Sequence, residues 1–416
     1  MGVRQVQEPS RVAEGTAALS AVPLTLCYVL YPLSQIVTSH LGYKLTRSWI
    51  DAVWVVLLFF CIVLLPVHNR GLVFRWGAVW ILVLICAARA VLAATNSTVE
   101  PAPFMMELKP LLYFICAFFW INCFGTPSLD AFVRAGCYLS AILTAEFAFV
   151  SAMHGGPVRP EGSGEVNYDA CLLLLPFAVA LCERRRYRWQ LLFLGAGLVF
   201  SFSRTAQITA FLLAMMTGRL RRLQKLLVAG AALLGYFLAL RVRSVSGDAS
   251  VGDRFFMWTA ALRMFAQNSA ATLFGFGPGA PLEIDVPKQL RGLWDAQAHG
   301  IHEGGVYAFN FHSMWVRLTV SWGLLMVILL LLLLLGWMYV AKSRLAVAAA
   351  IIIFVEGLTM GVFYLSNVAI PMLLFMAMVQ RRAATVAARE APQEEPAVAE
   401  APPPEPSTVL AKGANW

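Results

Sequence analysis

The sequence predicts an all-α membrane protein, a polytopic bundle of about twelve transmembrane helices with one large outer loop that contains an amphipathic helix. Of the 416 residues, 59% are hydrophobic and only 13% are charged, which is too apolar for a water-soluble chain of this length. Apolar runs of spanning or near-spanning length recur along the chain. They cover about 19–37, 50–66, 76–95, 109–124, 131–152, 168–182, 189–202, 205–217, 226–240, 314–340, 345–363 and 368–379.

Lysine and arginine cluster in short loops that alternate along the chain. The clusters contain Arg4 and Arg11, Arg70 and Arg75, residues 184–188, residues 219–225, Lys342 and Arg344, and Arg381 and Arg382. Cytoplasmic loops of membrane proteins carry this excess of positive charge, so both termini are expected in the cytoplasm. The formal net charge of +9 is therefore explained by orientation in a lipid bilayer, and no nucleic-acid partner is predicted.

This topology divides the chain into four parts. Residues 1–240 form the first nine helices, and residues 241–313 form the large outer loop. Residues 314–380 form three more helices. Residues 381–416 are rich in Glu, Ala and Pro and are expected to be a disordered cytoplasmic tail, because they cannot bury a core.

Two features of the outer loop can be predicted locally. Asp253 is a plausible N-cap of a helix with apolar residues at helical spacing, namely Phe255, Trp258, Leu262 and Phe265. This helix lies either over the outer mouth of the bundle or on lipid headgroups. Arg254 falls in its first turn, where unpaired N–H groups attract anions. The glycines of 273–279 predict a tight turn that redirects the chain.

The segment from Trp189 to Thr217 is expected to be a short hairpin. Basic clusters flank it on both sides, so it must cross the bilayer an even number of times. Each arm spans roughly 20 Å of a hydrocarbon core about 30 Å thick, which places the tip, 201–205, below the outer surface. An arginine at that depth needs a cavity or a counter-ion, so Arg204 is a candidate functional residue. The alternative is that Arg204 reaches the surface as an anchor.

The outer loop contains three histidines, and the last of them, His312, differs from the other two in its position at the end of the loop. His299 and His302 lack the spacing of a helical metal pair, so no metal site and no cofactor are predicted. A divalent cation held by Glu283 and Asp285 is the alternative. His312 lies where the chain re-enters the bilayer, and histidine can accept a proton from a sugar hydroxyl near neutral pH. An interfacial capping role is the other interpretation of His312.

Taken in order, these residues resemble the O-antigen ligase-related superfamily, which includes O-antigen ligases, O-antigen and exopolysaccharide polymerases, and protein O-oligosaccharyltransferases. The similarity covers about 167–325 of the chain. Two departures from the family pattern are Ser313, where asparagine is usual, and a comparatively short outer loop. The matching elements are Asn167 with 168–175, Ser203-Arg204-Thr205, 254–260 with 274–277, and His312-Ser313 followed by 321–325.

The resemblance implies a metal-independent, inverting glycosyltransferase of the bacterial inner membrane, with its active site facing the periplasm. Its donor would be a glycan on undecaprenyl diphosphate, and its acceptor either lipid A-core, for a ligase, or a second carrier-linked glycan, for a polymerase. Arg204 and Arg254 would bind the diphosphate, and His312 would be the general base. Further contacts to donor or acceptor are expected from Asn167, His302 and Trp258.

A multi-pass secondary transporter, or a translocator of lipid-linked glycans, is the alternative class. About twelve helices and the intramembrane charges Arg89, Glu146 and Glu356 suit a substrate pathway. A transporter does not need a long outer loop that carries an arginine and ends in a histidine. The transferase interpretation accounts for those residues, and the sequence leaves ligase and polymerase open.

Overall fold

The computed structural model describes residues 18–42, 49–68, 77–95, 99–217, 222–245, 250–292 and 306–390. These residues are helical apart from their connections, and the only strand-like pairing among them is one bridge between Leu282 and Val306. The all-α prediction is confirmed for this part of the chain. The helices are α1 Val22–His40, α2 Trp49–His68, α3 Gly77–Ala94, α4 Pro101–Phe124, α5 Leu129–His154, α6 Val166–Cys182, α7 Arg188–Phe200, α8 Arg204–Met216, α9 Arg222–Val245, α10 Ser250–Gln267, α11 Ser269–Phe274, α12 Met314–Trp322, α13 Leu324–Ala341, α14 Arg344–Gly357 and α15 Ser366–Glu390.

Each predicted apolar run coincides largely with one helix, except that the run 314–340 covers two, and several helices suit a membrane. Within the described residues, five are long and apolar enough to cross a bilayer: Val22–His40, Trp49–Pro66, Pro101–Phe124, Leu129–His154 and Leu324–Ala341. The protein is therefore a helical membrane protein by architecture. The count of about twelve crossings stays a prediction, because the remaining helices are shorter or more polar.

Helix α6 is the centre of the bundle. Every residue from Val166 to Leu181 is buried, and α5, α7, α8, α14 and α15 pack around it. A helix that is apolar on all sides must be surrounded by other apolar groups. The outer helices instead expose apolar side chains, such as Val63 at 74% and Leu226 at 69%. An apolar centre within an apolar exterior is the distribution that a bilayer requires.

Both arms of the predicted hairpin are present as helices, and its crossing of a membrane stays a prediction. Its arms, α7 and α8, have 13 residues each. Ser201, Phe202 and Ser203 connect them and are buried. Phe202 adopts a left-handed backbone with φ of 50°, and its ring centroid lies 5.3 Å from that of Phe147 on α5. The tip is thus held inside the bundle by an aromatic contact. We call this end of the bundle, which also carries the α14–α15 connection (358–365), the loop end.

Three boundaries differ from the prediction. The run 314–340 is broken at Gly323, whose φ is 92°, so α12 and α13 are separate helices. Helix α9 continues to Val245, beyond the expected start of the outer loop. Helix α15 continues to Glu390, so residues 381–390 are helical rather than part of a disordered tail. Four alanines within 383–388 favour this extension, because alanine has the highest helix propensity. Residues 391–416 lie outside the described part.

The predicted helix of the outer loop exists as α10, but another face packs. Met257 and Ala261 are buried against a cluster that includes Phe311, whereas Phe255 is 73% and Leu262 is 60% exposed. Small and flexible side chains allow α10 to approach the bundle closely. Of the four predicted apolar residues, Trp258 and Phe265 are half-buried against this cluster, and only Phe255 and Leu262 face outward.

The glycine turn after α11 docks on the break between α12 and α13. Gly275 has φ of 82°, and a Cβ there would lie 2.6 Å from the Ser321 carbonyl oxygen. A Cβ on Gly323 would lie 2.3 Å from the Leu273 carbonyl oxygen. The Phe276 N–H donates a hydrogen bond to the Val320 carbonyl at 2.7 Å. The turn therefore redirects the chain, as predicted, and also fixes α12 by direct backbone contact.

Replacing Gly275 or Gly323 by alanine should lower the midpoint of thermal unfolding in detergent. Backbone strain alone costs about 1–3 kcal/mol, and the overlap with facing backbone adds to it. Gly42→Ala is the matched control, because Gly42 has φ of +74° but no atom within 4 Å of the point that a Cβ would occupy. Equal midpoints in all three variants would contradict the close packing of the two backbones.

Candidate functional site

The α14–α15 connection joins helices that are far apart in sequence. Its Thr359 hydroxyl donates to the Thr205 hydroxyl at 3.2 Å, next to the hairpin tip. The Ser313 hydroxyl donates to the Gly357 carbonyl at 3.1 Å, directly after the outer loop ends. The beginnings of α8 and α12 therefore meet the end of α14. Because Arg204 precedes Thr205 and His312 precedes Ser313, the structure brings these two predicted residues to one end of the bundle.

Arg254 reaches the same place from the outer loop. Its neighbour Asp253 contacts His312, which places Arg254 at the same end of the bundle as Glu356, the last residue but one of α14. Glu356 is fully buried, and its Oε1 accepts a hydrogen bond of 2.5 Å from the Thr209 hydroxyl of α8. Since α10 begins at Ser250, Arg254 lies beyond the first turn, and the predicted contribution of the helix end is wrong.

His312 pairs with an aspartate of α10. Its Nε2 lies 3.7 Å from Oδ2 of Asp253, whose side chain is only 3% exposed. The His312 side chain is 29% exposed, so the imidazole is anchored on one side and accessible on another. Its backbone N–H donates to the Met257 sulfur at 3.0 Å. Asp253 was expected only to cap α10, and its position beside the histidine was missed.

Asn167 is the second residue of the central helix α6, and its side chain is bound by residues of the preceding α5–α6 loop. The Arg159 guanidinium donates to its Oδ1 at 2.7 Å, and its Nδ2 donates to Glu165 at 3.4 Å. Its amide group orders the α5–α6 loop, and the structure gives no substrate role to it.

The remaining residues predicted to contact substrate or a metal ion lie in different parts of the chain. Trp258 is half-buried and packs in the cluster that attaches α10 to the bundle. His299 and His302 lie outside the described residues. The Asp285 side chain is 99% exposed, 3.9 Å from Arg291. Within the described part of the chain, no group of three or more His, Cys, Asp or Glu side chains is placed to hold a metal ion.

A buried ion pair on the neighbouring helices was not predicted. Arg317 Nε of α12 donates to Glu107 Oε1 of α4 at 2.8 Å, and the Ser321 hydroxyl donates to Glu107 Oε2 at 2.8 Å. The guanidinium also lies 3.5 Å from the ring centroid of Tyr364. Arg317 lies inside a predicted apolar run. An arginine at membrane depth is a candidate functional residue, so the argument made for Arg204 applies to Arg317 as well.

An apolar cavity of about 650 Å³ lies beside this pair. It begins at Met314 and Trp315, directly after the outer loop, and continues between α4, α12, α13 and α15 to Val340 and Gln380. Aliphatic and aromatic side chains form most of its wall, and Glu107 is among the few polar groups. The cavity therefore follows the length of the bundle from the loop end and suits a hydrocarbon chain.

Arg317→Ala should strongly destabilise the protein, because it leaves the Glu107 carboxylate buried without its counter-charge. Removing one partner of a buried pair costs roughly 3–5 kcal/mol. The double variant Arg317→Met/Glu107→Gln should be more stable than Arg317→Ala alone, as measured by unfolding in detergent. Arg263→Ala, on the exposed face of α10, serves as the control. A double variant no more stable than the single one would contradict this account.

The chain matches no model of a known protein family and no curated protein. The functional proposal therefore rests on the site itself, which consists of the Arg204 turn, the His312–Asp253 pair with Arg254 beside it on α10, and the apolar cavity that begins next to them.

Proposed function

We propose that the protein is a membrane glycosyltransferase that moves a glycan from undecaprenyl diphosphate to an acceptor hydroxyl at the periplasmic face. The observation that carries this proposal is the gathering of Arg204, Arg254 and His312 at one end of the bundle, beside an apolar cavity. A lipid-linked diphosphate sugar needs cations for its phosphates, a base for its acceptor and an apolar place for its tail. The site offers all three.

The two arginines would bind the diphosphate. Negative charge grows on its oxygens as the anomeric C–O bond breaks, and guanidinium groups donate paired hydrogen bonds to such oxygens. Arg204 is also the first residue of α8, where unpaired N–H groups add positive potential. Donors fixed before the reaction stabilise the transition state more than the ground state, which is how they accelerate transfer.

His312 would activate the acceptor. An imidazole nitrogen takes the proton of the acceptor hydroxyl while the oxygen attacks the anomeric carbon. The C–O bond to the diphosphate breaks, and the lipid diphosphate leaves with the electron pair. Asp253 would hold the ring and stabilise the imidazolium that forms. One displacement inverts the anomeric centre and needs neither a metal nor a cofactor.

The apolar cavity would take part of the polyprenyl tail. It starts two residues after His312, so a tail within it keeps the diphosphate near the arginines.

The identity of the acceptor separates a ligase from a polymerase. A ligase uses lipid A-core, and a polymerase uses a second carrier-linked glycan. Both acceptors belong to the proposal, and a single assay distinguishes them.

A transporter is the second candidate, and the partners of the intramembrane charges count against it. Arg89 Nη1 donates to the Trp322 carbonyl at 2.9 Å. Glu146 accepts the N–H groups of residues 161 and 162, at 3.0 Å each. These charges are engaged in separate parts of the fold, whereas a polar substrate needs a continuous polar path. The large cavity is apolar, which favours a lipid substrate.

Transfer should be lost in Arg204→Ala, Arg254→Ala and His312→Ala. We expect the purified protein, given an undecaprenyl-diphosphate oligosaccharide and EDTA, to shift lipid A-core once or to build a ladder from excess donor. Loss of the base should reduce the rate by about 10²–10⁴-fold, and loss of either arginine by roughly 10²–10³-fold. Gel analysis of the products gives the rates.

Matched controls are Arg263→Ala, on the exposed face of α10, and His154→Ala, an exposed histidine at the end of α5. Both should retain wild-type transfer. Fully active Arg204→Ala, Arg254→Ala or His312→Ala enzymes would contradict the mechanism. Glycan flux into proteoliposomes without glycan transfer would instead identify the transporter.

Filling the cavity should weaken the use of long-tailed donors. Gly336 lines the cavity, and no atom lies within 4 Å of the point that a Cβ would occupy there, so Gly336→Phe adds a ring where there is space. We expect KM for the undecaprenyl donor to rise roughly tenfold, about 1.4 kcal/mol, and KM for a short-tailed analogue to stay unchanged. Gly230→Phe, at an exposed and open position on α9, is the control. An equal effect on both donors would refute tail binding there.

A further inference from the structure

Arg89 is a cation of the predicted membrane helix α3 to which the proposed chemistry assigns no role. It lies five residues before the helix ends at Ala94, or roughly 8 Å from that end at 1.5 Å per residue. Its side chain is half-buried, and its Nη1 donates to the Trp322 carbonyl at 2.9 Å. An arginine at such a depth is costly unless its charge is compensated, so the surroundings of Arg89 need an explanation.

The contact with Trp322 supplies a hydrogen bond but no counter-charge. Trp322 is the last residue of α12, and a cation is favourable at the negative end of a helix. That carbonyl takes up only one of the five N–H groups of the guanidinium. Among the described residues Arg89 forms no ion pair. Glu107, the acid that lines the neighbouring cavity, is bound through both oxygens by Arg317 and Ser321. The charge of Arg89 is therefore available to an anion from outside the chain.

Arg89 borders the large apolar cavity. Val83 and Cys86, which precede it on α3, line one wall of that cavity, and Trp322 lines another. Cys86 is one helical turn before Arg89, so the two side chains are neighbours on the helix surface. A ligand that suits both features has an anionic group next to a hydrocarbon chain. Phosphate is an anion to which a planar guanidinium donates paired hydrogen bonds.

We propose that Arg89 binds the phosphate group of an anionic lipid whose hydrocarbon chain lies in the apolar cavity. The N–H groups that do not contact Trp322 would donate to phosphate oxygens, while the Trp322 carbonyl holds the guanidinium in place. The headgroup would lie close to the glycine turn, because that turn docks on Gly323, directly after Trp322. The chain would extend from there towards the opposite end of the bundle.

This phosphate site is distinct from the proposed transfer site. Helix α12 has nine residues, so its two ends are roughly 13 Å apart at 1.5 Å per residue. His312 precedes the first end, where Arg204 and Arg254 also gather, and Arg89 lies at the second. Where the proposed function holds, Arg89 would take up the carrier lipid beside the cavity, and the transfer site would receive its diphosphate. The binding of a lipid phosphate by Arg89 does not depend on that function.

Lipid binding to the full-length protein in detergent tests this site without any transfer reaction. Brominated acyl chains quench tryptophan fluorescence on contact. Trp315 and Trp322 line the cavity, so quenching reports a chain inside it. We expect the wild type to bind brominated phosphatidylglycerol about tenfold more tightly than diacylglycerol with the same chains, because only the first lipid carries a phosphate.

Arg89→Gln keeps an N–H donor for the Trp322 carbonyl but removes the charge, so it should bind the two lipids equally. Arg134→Gln, at an exposed position near the start of α5, is the matched control and should keep the preference. A preserved preference in Arg89→Gln, or equal binding of the two lipids by the wild type, would overturn the proposal.

A second variant locates the phosphate independently. Arg204→Gln/Arg254→Gln should retain the preference for phosphatidylglycerol, because these arginines lie at the other end of α12. Loss of the preference there would place the phosphate at the transfer site and would also overturn the proposal. This double variant therefore decides should Arg89→Gln fail to fold.

Two kinds of lipid carry this chemistry, and competition separates them. Undecaprenyl phosphate and unbrominated phosphatidylglycerol are each titrated against bound brominated phosphatidylglycerol. Stronger displacement by undecaprenyl phosphate identifies a site for the carrier, whereas equal or weaker displacement identifies a site for anionic membrane phospholipids. A wild type without transferase activity would refute the proposed function and leave these binding results standing.

Discussion

The structure depends on one constraint, which is that charged groups inside an apolar bundle must find partners there. Arg317 is compensated by Glu107, and Asp253 lies beside His312. Each pair joins elements that are distant in sequence, because hydrophobic burial alone does not specify which apolar helices should be neighbours. The cost of an unpaired charge does specify it. The ionic contacts thereby determine how the loop segment and the bundle fit together.

The break at Gly323 is the second determinant, and it acts through the backbone. A continuous helix over 314–340 would leave no concave surface for the glycine turn to enter. Because α12 ends at Trp322, the carbonyl of Val320 is available to the Phe276 N–H. The short helix α12 also carries Arg317 to α4 and follows directly after His312. The irregular backbone is thus confined to the region where it is buried by protein.

Local signals in the sequence were sufficient for the fold class, for the two short helices α7 and α8 and for the helix α10. Apolar runs predicted the positions of the other long helices, but neither the short helix α11 nor the break between α12 and α13. The sequence could not predict which charged residues form ion pairs, because Glu107 and Arg317, for example, are separated by more than two hundred residues. The packing face of α10 was also missed, since apolar residues occupy both of its faces and only the tertiary contact selects Met257 over Phe255.

The arrangement of charges bears on how a site at a membrane surface can remain ordered without substrate. If the site binds a diphosphate, as proposed, Arg204 and Arg254 would repel one another in a medium of low dielectric constant until the anion arrives. The carboxylate of Asp253, which adjoins Arg254 in the sequence and lies 3.7 Å from His312, supplies negative charge at the same end of the bundle and reduces this repulsion. Such a site is ready for an anion before the anion arrives, and preorganisation of this kind is the main source of electrostatic catalysis.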